Sequence, residues 1–140
     1  MYEDKLDTIF NLQKQFDDLV VERRNLHAIS VDEWMQKGTL ALMSELAELL
    51  SETNFKWWKN PKELNYENIK EELIDILHFL TSACMKVGMD SKETYQRYIN
   101  KNKENFNRQY GVSDKKGYEL ANPDKTNTSN NQDQTYKEAD

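Results

Sequence analysis

The chain has 140 residues, which predicts one small domain. Its formal net charge of −6 at pH 7 argues against general nucleic-acid binding, because phosphate contacts need clustered Lys and Arg. Only 4 glycines and 2 prolines disfavour a loop-rich β fold, and the single cysteine excludes an intramolecular disulfide. We find neither an apolar run long enough to span a membrane nor a signal-peptide pattern, and therefore expect a cytoplasmic protein.

The first two predicted helices lie in the N-terminal half of the chain. Apolar residues recur at helical spacing over residues 2–24, which predicts the first helix. The second is predicted from near Ser30 to about Glu52, because Ser30 and Glu33 have the spacing of a capping box. Gly38 lies inside this helix and predicts a kink or a break there.

Two further helices follow a short aromatic and basic loop, NFKWWKNPKELN. The third is predicted over residues 66–87, with Gly88 as its C-terminal stop. The fourth is predicted over residues 91–109, after a second possible capping box at Asp90 and Glu93, and it ends near Gly111.

Four helices with short connections predict an all-α fold, an antiparallel four-helix bundle formed by residues 1–111. We expect residues 112–120 to act as a closing segment and residues 121–140, which are polar, to be a disordered tail. The fourth helix has few apolar residues, and a domain of this size has a small core. We therefore expect dimerisation to complete the bundle.

Two pairs of carboxylates form the most informative pattern in the chain. Glu45 and Glu48, and then Glu72 and Asp75, are spaced i, i+3, so each pair lies on one face of a helix. Both pairs stand among apolar residues, where a carboxylate without a partner is costly to bury. In an antiparallel arrangement the two pairs face each other and predict a cation site. Oxygen ligands favour Mg²⁺, with Mn²⁺ as a possible substitute, over zinc.

Other interpretations of these residues are less favoured. A di-iron centre in a helical bundle typically needs Glu-x-x-His, whereas Glu48 and Asp75 stand at the positions where histidine is needed. His27 and His78 are isolated in the sequence, and we expect structural roles for both. One acidic pair alone is more typical of a solvated helix surface; two pairs within apolar stripes favour a metal site.

A magnesium site commonly handles phosphates, and the chain carries basic and polar side chains that suit them. We expect nucleotide contacts from the aromatic loop and from one face of the fourth helix: Lys56, Trp57, Trp58, Lys59, Lys101, Asn105 and Arg108. The alternatives are an ordinary charged helix surface and, for at least one tryptophan, a place in the core.

The order of these motifs resembles the dimeric-type all-α dUTPases, which belong to the all-α nucleotide pyrophosphohydrolases that include the MazG proteins. The segments concerned are LMSELAELL, FKWWKN, EELIDILHF and YINKNKENFNRQ, together with NLQKQFDD in the first helix. The resemblance spans about residues 5–111, and the chain is similar to the short bacterial and phage forms.

The resemblance implies a homodimer that hydrolyses dUTP to dUMP and pyrophosphate with Mg²⁺. It implies that the two acidic pairs are metal ligands and that Gln13 and either Trp57 or Trp58 contact the base. Lys101, Asn105 and Arg108 match positions that bind phosphate or sugar. Within such a site we expect Glu48 to be the catalytic base that accepts the proton of the attacking water.

Two alternatives remain open at this point. One is the same chemistry on another base, with dCTP or nucleoside triphosphates in general as the substrate, because base specificity rests on a few hydrogen bonds that a sequence does not locate. The other is a helical interaction module without enzymatic activity, which would not explain carboxylates among apolar residues.

Overall fold

The structure is a computed structural model that describes residues 4–118. It contains four helices, α1 (Lys5–Arg24), α2 (Val31–Ser51), α3 (Tyr66–Lys86) and α4 (Ser91–Gln109), and the described residues form no strand. The predicted all-α class is confirmed. The predicted polar tail, residues 121–140, and the end of the predicted closing segment lie outside the described residues.

Each helix begins where a short polar side chain accepts hydrogen bonds from the otherwise unpaired N–H groups of the first turn. Asp4 accepts from the amide of Leu6 at 2.8 Å, and Ser30 accepts from that of Glu33 at 3.1 Å. Asn65 caps α3 in the same way, and Asp90 accepts from the amide of Glu93 at 2.7 Å. The predicted starts of α2, α3 and α4 are therefore confirmed by local contacts. Helix α1, predicted from residue 2, begins instead at Lys5, because Asp4 is its extended capping residue.

The ends of α3 and α4 are set by two glycines in the left-handed region. Gly88 has φ +84° and Gly111 has φ +67°, values that cost glycine little because it lacks a Cβ. After each glycine the next amide reaches back across the turn, Met89 N to Cys84 O and Val112 N to Asn107 O, both at 3.0 Å. These two predicted stops are also confirmed.

The predicted break at Gly38 is wrong, whereas the alternative of a kink stays a prediction. Helix α2 runs from Val31 to Ser51 without interruption. One glycine inside a helix costs only about 1 kcal/mol relative to alanine, which packing of the rest of the helix readily offsets. Apart from the neighbouring residues and backbone of its own helix, no atom of the described residues lies within 4 Å of the position that a Cβ at Gly38 would take. The residue lies beside an open cavity described below.

The described residues form two compact units, which divide between Arg97 and Tyr98. Within the first unit, α3 packs against both α2 and α1. Contacts at opposite ends make α2 antiparallel to α3: Asn68 Nδ2 lies 3.5 Å from Glu52 Oε2, and the Lys86 ammonium lies 4.4 Å from the centre of the Trp34 ring. This direction brings the middle of α2 against the middle of α3, where the acidic pairs lie.

Much of the apolar surface of the first unit is exposed in the single chain. Phe10 is the one apolar side chain classed as buried among the described residues. Large apolar side chains with more than two fifths of their area exposed follow all three helices: Leu12, Phe16, Leu19, Leu40, Met43, Leu46, Leu50, Leu73, Ile74 and Leu80. Apolar surface of this extent is typical of a protein–protein interface. It is compatible with the homodimer, which stays a prediction.

Candidate active site

Three carboxylates from two helices meet at the α2–α3 interface. Glu45 lies on α2, and Glu72 and Asp75 lie one turn apart on α3. One oxygen from each of the three lies within 4.8 Å of the others. Glu45 and Glu72 are half-buried and Asp75 is exposed. The structure therefore brings together three of the four predicted metal ligands.

Glu48, the fourth predicted ligand and the predicted base, is exposed and lies outside this group of three. Its charge still acts on the group, because the Glu48 carboxylate raises the pKa of both Glu45 and Glu72. Its roles as ligand and as base stay predictions.

The three carboxylates repel one another in the absence of a counter-charge. Partial burial is the largest cause of the raised pKa of Glu45 and of Glu72, and the charges of Glu48 and Asp75 raise both further. One oxygen of Glu72, Oε2, is buried and has no hydrogen-bond partner among the described residues. A buried, unpartnered carboxylate oxygen among like charges is suited to a hard divalent cation, which these ligands would neutralise.

A cavity of about 540 Å³ opens beside the carboxylates. Three helices of the first unit line it: Gln13, Phe16, Asp17, Val20 and Val21 from α1, Trp34, Lys37, Gly38 and Ala41 from α2, and Asp75, His78, Phe79, Ser82, Ala83 and Lys86 from α3. Asp75 belongs both to this lining and to the carboxylate group. A volume of this size, with mostly apolar walls and a few polar groups, is typical of small-molecule sites.

A connected set of polar side chains crosses the cavity wall between α1 and α3. Gln13 is buried, with 5% of its area exposed. Its Oε1 lies 2.6 Å from His78 Nδ1, and its Nε2 donates to Asp17 Oδ1 at 2.9 Å. The Ser82 hydroxyl donates to the other oxygen of Asp17 at 2.5 Å. The two contacts between the helices, Gln13–His78 and Asp17–Ser82, both join residues 65 positions apart. Because the partners advance together along both helices, α1 runs parallel to α3 in one register.

Sequence analysis missed several residues of this cavity. His78 was expected to have only a structural role, yet its ring lies in the cavity wall. Its position three residues after Asp75 on one helix was a usable signal, because i, i+3 residues share a face. Trp34, Lys37 and Lys86 were also missed, and no local pattern marks them as neighbours of the acidic pairs.

The aromatic loop does not reach the cavity of its own chain. Trp57 and Trp58 are 85% and 60% exposed, and their rings meet edge to face with centroids 5.6 Å apart. Lys56 and Lys59 are also exposed, and none of these four residues lines the cavity. Their predicted contacts with the base and phosphates stay predictions.

The predicted phosphate-binding residues of α4 lie in the second unit. Arg108 donates to Glu104 Oε1 at 3.1 Å and lies 3.4 Å from Asn105 Oδ1. A hydrogen bond from Ser113 is the largest cause of the lowered pKa of Glu104, and Arg108 and Lys101 lower it further. The structure thus brings Lys101, Asn105 and Arg108 to one stretch of α4, with Arg108 held by Glu104.

None of the described helices combines the length and the apolar character that crossing a membrane requires.

Comparison with known proteins provides evidence independent of this geometry. A family model described as dUTPase matches residues 5–96, which includes the carboxylates and the cavity and ends before Lys101. The dCTP pyrophosphatase of Enterobacteria phage T4 is 46% identical over 41 residues, which make up 29% of this chain and 24% of the phage protein. The chain thus matches only about a quarter of that relative's length. No solved structure matches the chain. Because the family model covers well over half of the chain, the chain belongs to this dUTPase family.

Proposed function

We propose that this protein is a Mg²⁺-dependent pyrophosphohydrolase of deoxynucleoside triphosphates that converts dUTP to dUMP and pyrophosphate. The observation that carries the proposal is the position of Asp75, which belongs both to the carboxylate group and to the cavity wall. A nucleotide with its base in the cavity would direct its phosphates toward the carboxylates. Membership of the dUTPase family supports the same reaction.

Glu45, Glu72 and Asp75 would hold the Mg²⁺. Glu48, whose charge raises the pKa of Glu45 and Glu72, would join them or act beside them. Mn²⁺, which accepts the same oxygen ligands, would substitute. A bound divalent ion neutralises phosphate oxygens and lowers the pKa of a bound water. The buried Oε2 of Glu72 supports this assignment, because within residues 4–118 no hydrogen bond competes for this ligand atom.

The remaining roles belong to side chains of the chain itself. The apolar walls of the cavity would exclude water from around the base, and Gln13 would support base recognition. Glu48, exposed beside the carboxylate group, would accept the proton of the attacking water. Lys101, Asn105 and Arg108 would bind the phosphates or sugar, with Trp57 or Trp58 over the base. We place this activity in the cytoplasm.

A second candidate substrate is dCTP. The observation that favours it is the 46% identity over 41 residues with a phage dCTP pyrophosphatase. The chemistry at the phosphates would be the same for both substrates, and only the contacts with the base would differ.

We further propose that the protein acts as a homodimer. The exposed apolar side chains of α1, α2 and α3 would be covered by a second copy, and the aromatic loop, remote from its own cavity, would be free to reach a site of the partner. Light scattering should give about twice the 16.6 kDa of one chain. A monomer at working concentration would contradict the dimer.

The decisive experiment is a nucleotide panel with product identification. Purified protein is incubated with dUTP, dCTP, dTTP, dATP and dGTP, with Mg²⁺ or with excess EDTA. We expect dUMP and pyrophosphate from dUTP and no reaction in EDTA. Release of orthophosphate instead of pyrophosphate, or full activity in chelator, would overturn the proposal. In the same assay Glu72→Gln should lose activity. Glu71→Gln is its matched control, because Glu71 is exposed and lies outside the carboxylate group.

A further inference from the structure

Helix α4 carries two Glu–Arg ion pairs with the same i, i+4 spacing, and their surroundings differ. In the first pair, Arg97 Nη2 lies 2.7 Å from Glu93 Oε1, and 69% of the arginine side chain is exposed. In the second, Arg108 Nε lies 3.1 Å from Glu104 Oε1, but only 14% of the arginine side chain is exposed. An exposed pair such as the first contributes little to stability and holds its side chains loosely. The low exposure of Arg108 sets the second pair apart.

Three further contacts surround the Glu104–Arg108 pair. The Ser113 hydroxyl donates to the same Glu104 oxygen at 2.7 Å. The Lys115 amide donates to Ser113 Oγ at 3.1 Å, which ties the turn after α4 to Glu104. The guanidinium carbon of Arg108 lies 5.4 Å from the centre of the Tyr118 ring, within the range of a cation–π contact. Glu104 therefore contacts both the arginine and the segment that follows the helix.

These contacts restrain the Arg108 guanidinium on its inner side. A guanidinium has five N–H groups, one on Nε and two on each terminal nitrogen. Glu104 accepts from Nε, whereas Asn105 Oδ1 lies 3.4 Å from Nη1, a long and weak contact. The terminal nitrogens form the fork that pairs with two oxygens of a phosphate. A carboxylate on Nε thus holds the side chain without occupying that fork.

We propose that Glu104 is a positioning residue that holds the Arg108 guanidinium in place for the phosphates of the substrate. The inference rests on the proposed function, in which Arg108 binds phosphate or sugar. An arginine with free rotamers loses conformational freedom when it binds a phosphate, and an arginine already held by a neighbour loses less. Glu104 thus raises the affinity for phosphate without touching it.

A double-mutant cycle tests whether Glu104 acts through Arg108. Calorimetry with Mg²⁺ measures the binding of α,β-imido-dUTP and of inorganic triphosphate to wild-type protein, to Glu104→Ala, to Arg108→Ala and to the double variant. We expect Glu104→Ala to bind both probes about three- to tenfold more weakly, the effect of having to order one long side chain. Arg108→Ala should bind them at least about tenfold more weakly. In the Arg108→Ala background, Glu104→Ala should weaken binding no further.

Two more variants separate positioning from a general loss of structure. Glu104→Gln keeps an oxygen that accepts from Arg108 Nε, so it should recover most of the wild-type affinity. Glu93→Ala breaks the exposed pair on the same helix and should bind both probes like wild type. Circular dichroism should show the same helix content in every variant. Without any ligand, ¹H–¹⁵N spectra should show the Arg108 Nε hydrogen exchanging with water more slowly in wild type than in Glu104→Ala.

The outcomes separate this inference from the proposed function. If wild-type protein hydrolyses dUTP but Glu104→Ala binds the probes as tightly as wild type or more tightly, Glu104 does not position Arg108, whereas the proposed function stands. An equal loss in the Arg108→Ala background, a Glu104→Gln variant as weak as Glu104→Ala, or a wild-type protein that binds neither probe would also overturn the inference. If no nucleotide is hydrolysed while the cycle with inorganic triphosphate takes the expected form, the proposed function fails and the positioning by Glu104 stands.

Discussion

The two faces of α3 hold polar side chains in opposite ways. Toward α1, Gln13, Asp17, His78 and Ser82 form a connected set in which each side chain has a hydrogen-bond partner. Toward α2, three carboxylates converge with no basic side chain among them, and Glu72 Oε2 has no hydrogen-bond partner among the described residues. A satisfied network stabilises the fold by itself, whereas converging like charges destabilise it until a ligand arrives. The difference separates a face that holds two helices together from the face that we propose binds metal.

The largest expected effect comes from removing a predicted metal ligand from the α2–α3 face. We expect Glu72→Gln to lower kcat/KM for dUTP by at least about 100-fold, because even residues that only support metal ligands cost 10- to 100-fold when changed. Steady-state kinetics at saturating Mg²⁺ measures the loss. Glu71→Gln should retain wild-type kinetics. A Glu72→Gln enzyme with more than a tenth of wild-type activity would show that the α2–α3 face is not the metal site.

Glu48 tests whether a carboxylate outside the group of three takes part in the chemistry. Loss of a general base typically costs about 10²- to 10⁴-fold in rate. We therefore expect Glu48→Gln to lower kcat by that order while circular dichroism shows unchanged helix content, since Glu48 is exposed. A near wild-type rate would mean that Glu48 is neither a ligand nor the base.

Mg²⁺ should stabilise the α2–α3 face specifically. A ligand at 100 times its Kd stabilises the native state by about 2.7 kcal/mol. We expect the thermal midpoint of the wild-type protein to rise with Mg²⁺ concentration and that of Glu72→Gln to stay nearly constant. An equal rise in both proteins would place the ion elsewhere.

On the α1–α3 face, we expect loss of a polar group to lower the stability of the protein whether or not metal is present. Ser82→Ala removes a donor to the Asp17 carboxylate, and a hydrogen bond to a charged group contributes about 1.5–3 kcal/mol. We expect a loss of that order in the free energy of urea unfolding, with or without Mg²⁺. Ser44→Ala, at an exposed position of α2, is the control and should change stability by no more than about 0.5 kcal/mol. Equal effects of the two variants would contradict a structural role for the network.

The smallest expected effect is a dependence of apoprotein stability on pH. The pKa values of Glu45 and Glu72 are raised in the folded state, so the folded protein binds these protons more tightly than the unfolded chain does. Their contribution to stability is therefore unfavourable at neutral pH and improves as the pH falls through the raised pKa values. Without metal, Glu72→Gln should be more stable than wild type at pH 7, and the difference should shrink toward pH 4. A difference that is constant over this range would contradict the repulsion.

The helices themselves were predictable from the sequence because their limits depend on near neighbours. Ser30 caps α2 through an amide three residues away, and Gly88 ends α3 through bonds within the same turn. The i, i+3 spacing of Glu72 and Asp75 likewise fixed their common face before any packing was known. Such contacts lie within one or two helical turns, where residue type alone decides the conformation.

Pairing between helices was decided only by the tertiary structure. Gln13 and His78 are 65 positions apart, and no periodicity within α1 or α3 states which residue of one helix will face which residue of the other. The same packing left Glu48 outside the three-carboxylate group, although its spacing from Glu45 repeats that of Asp75 from Glu72. Helix α2 also continues through Gly38 without a break. Helical spacing defines a face, but the rotation and register of one helix against another depend on the packing of all the side chains between them.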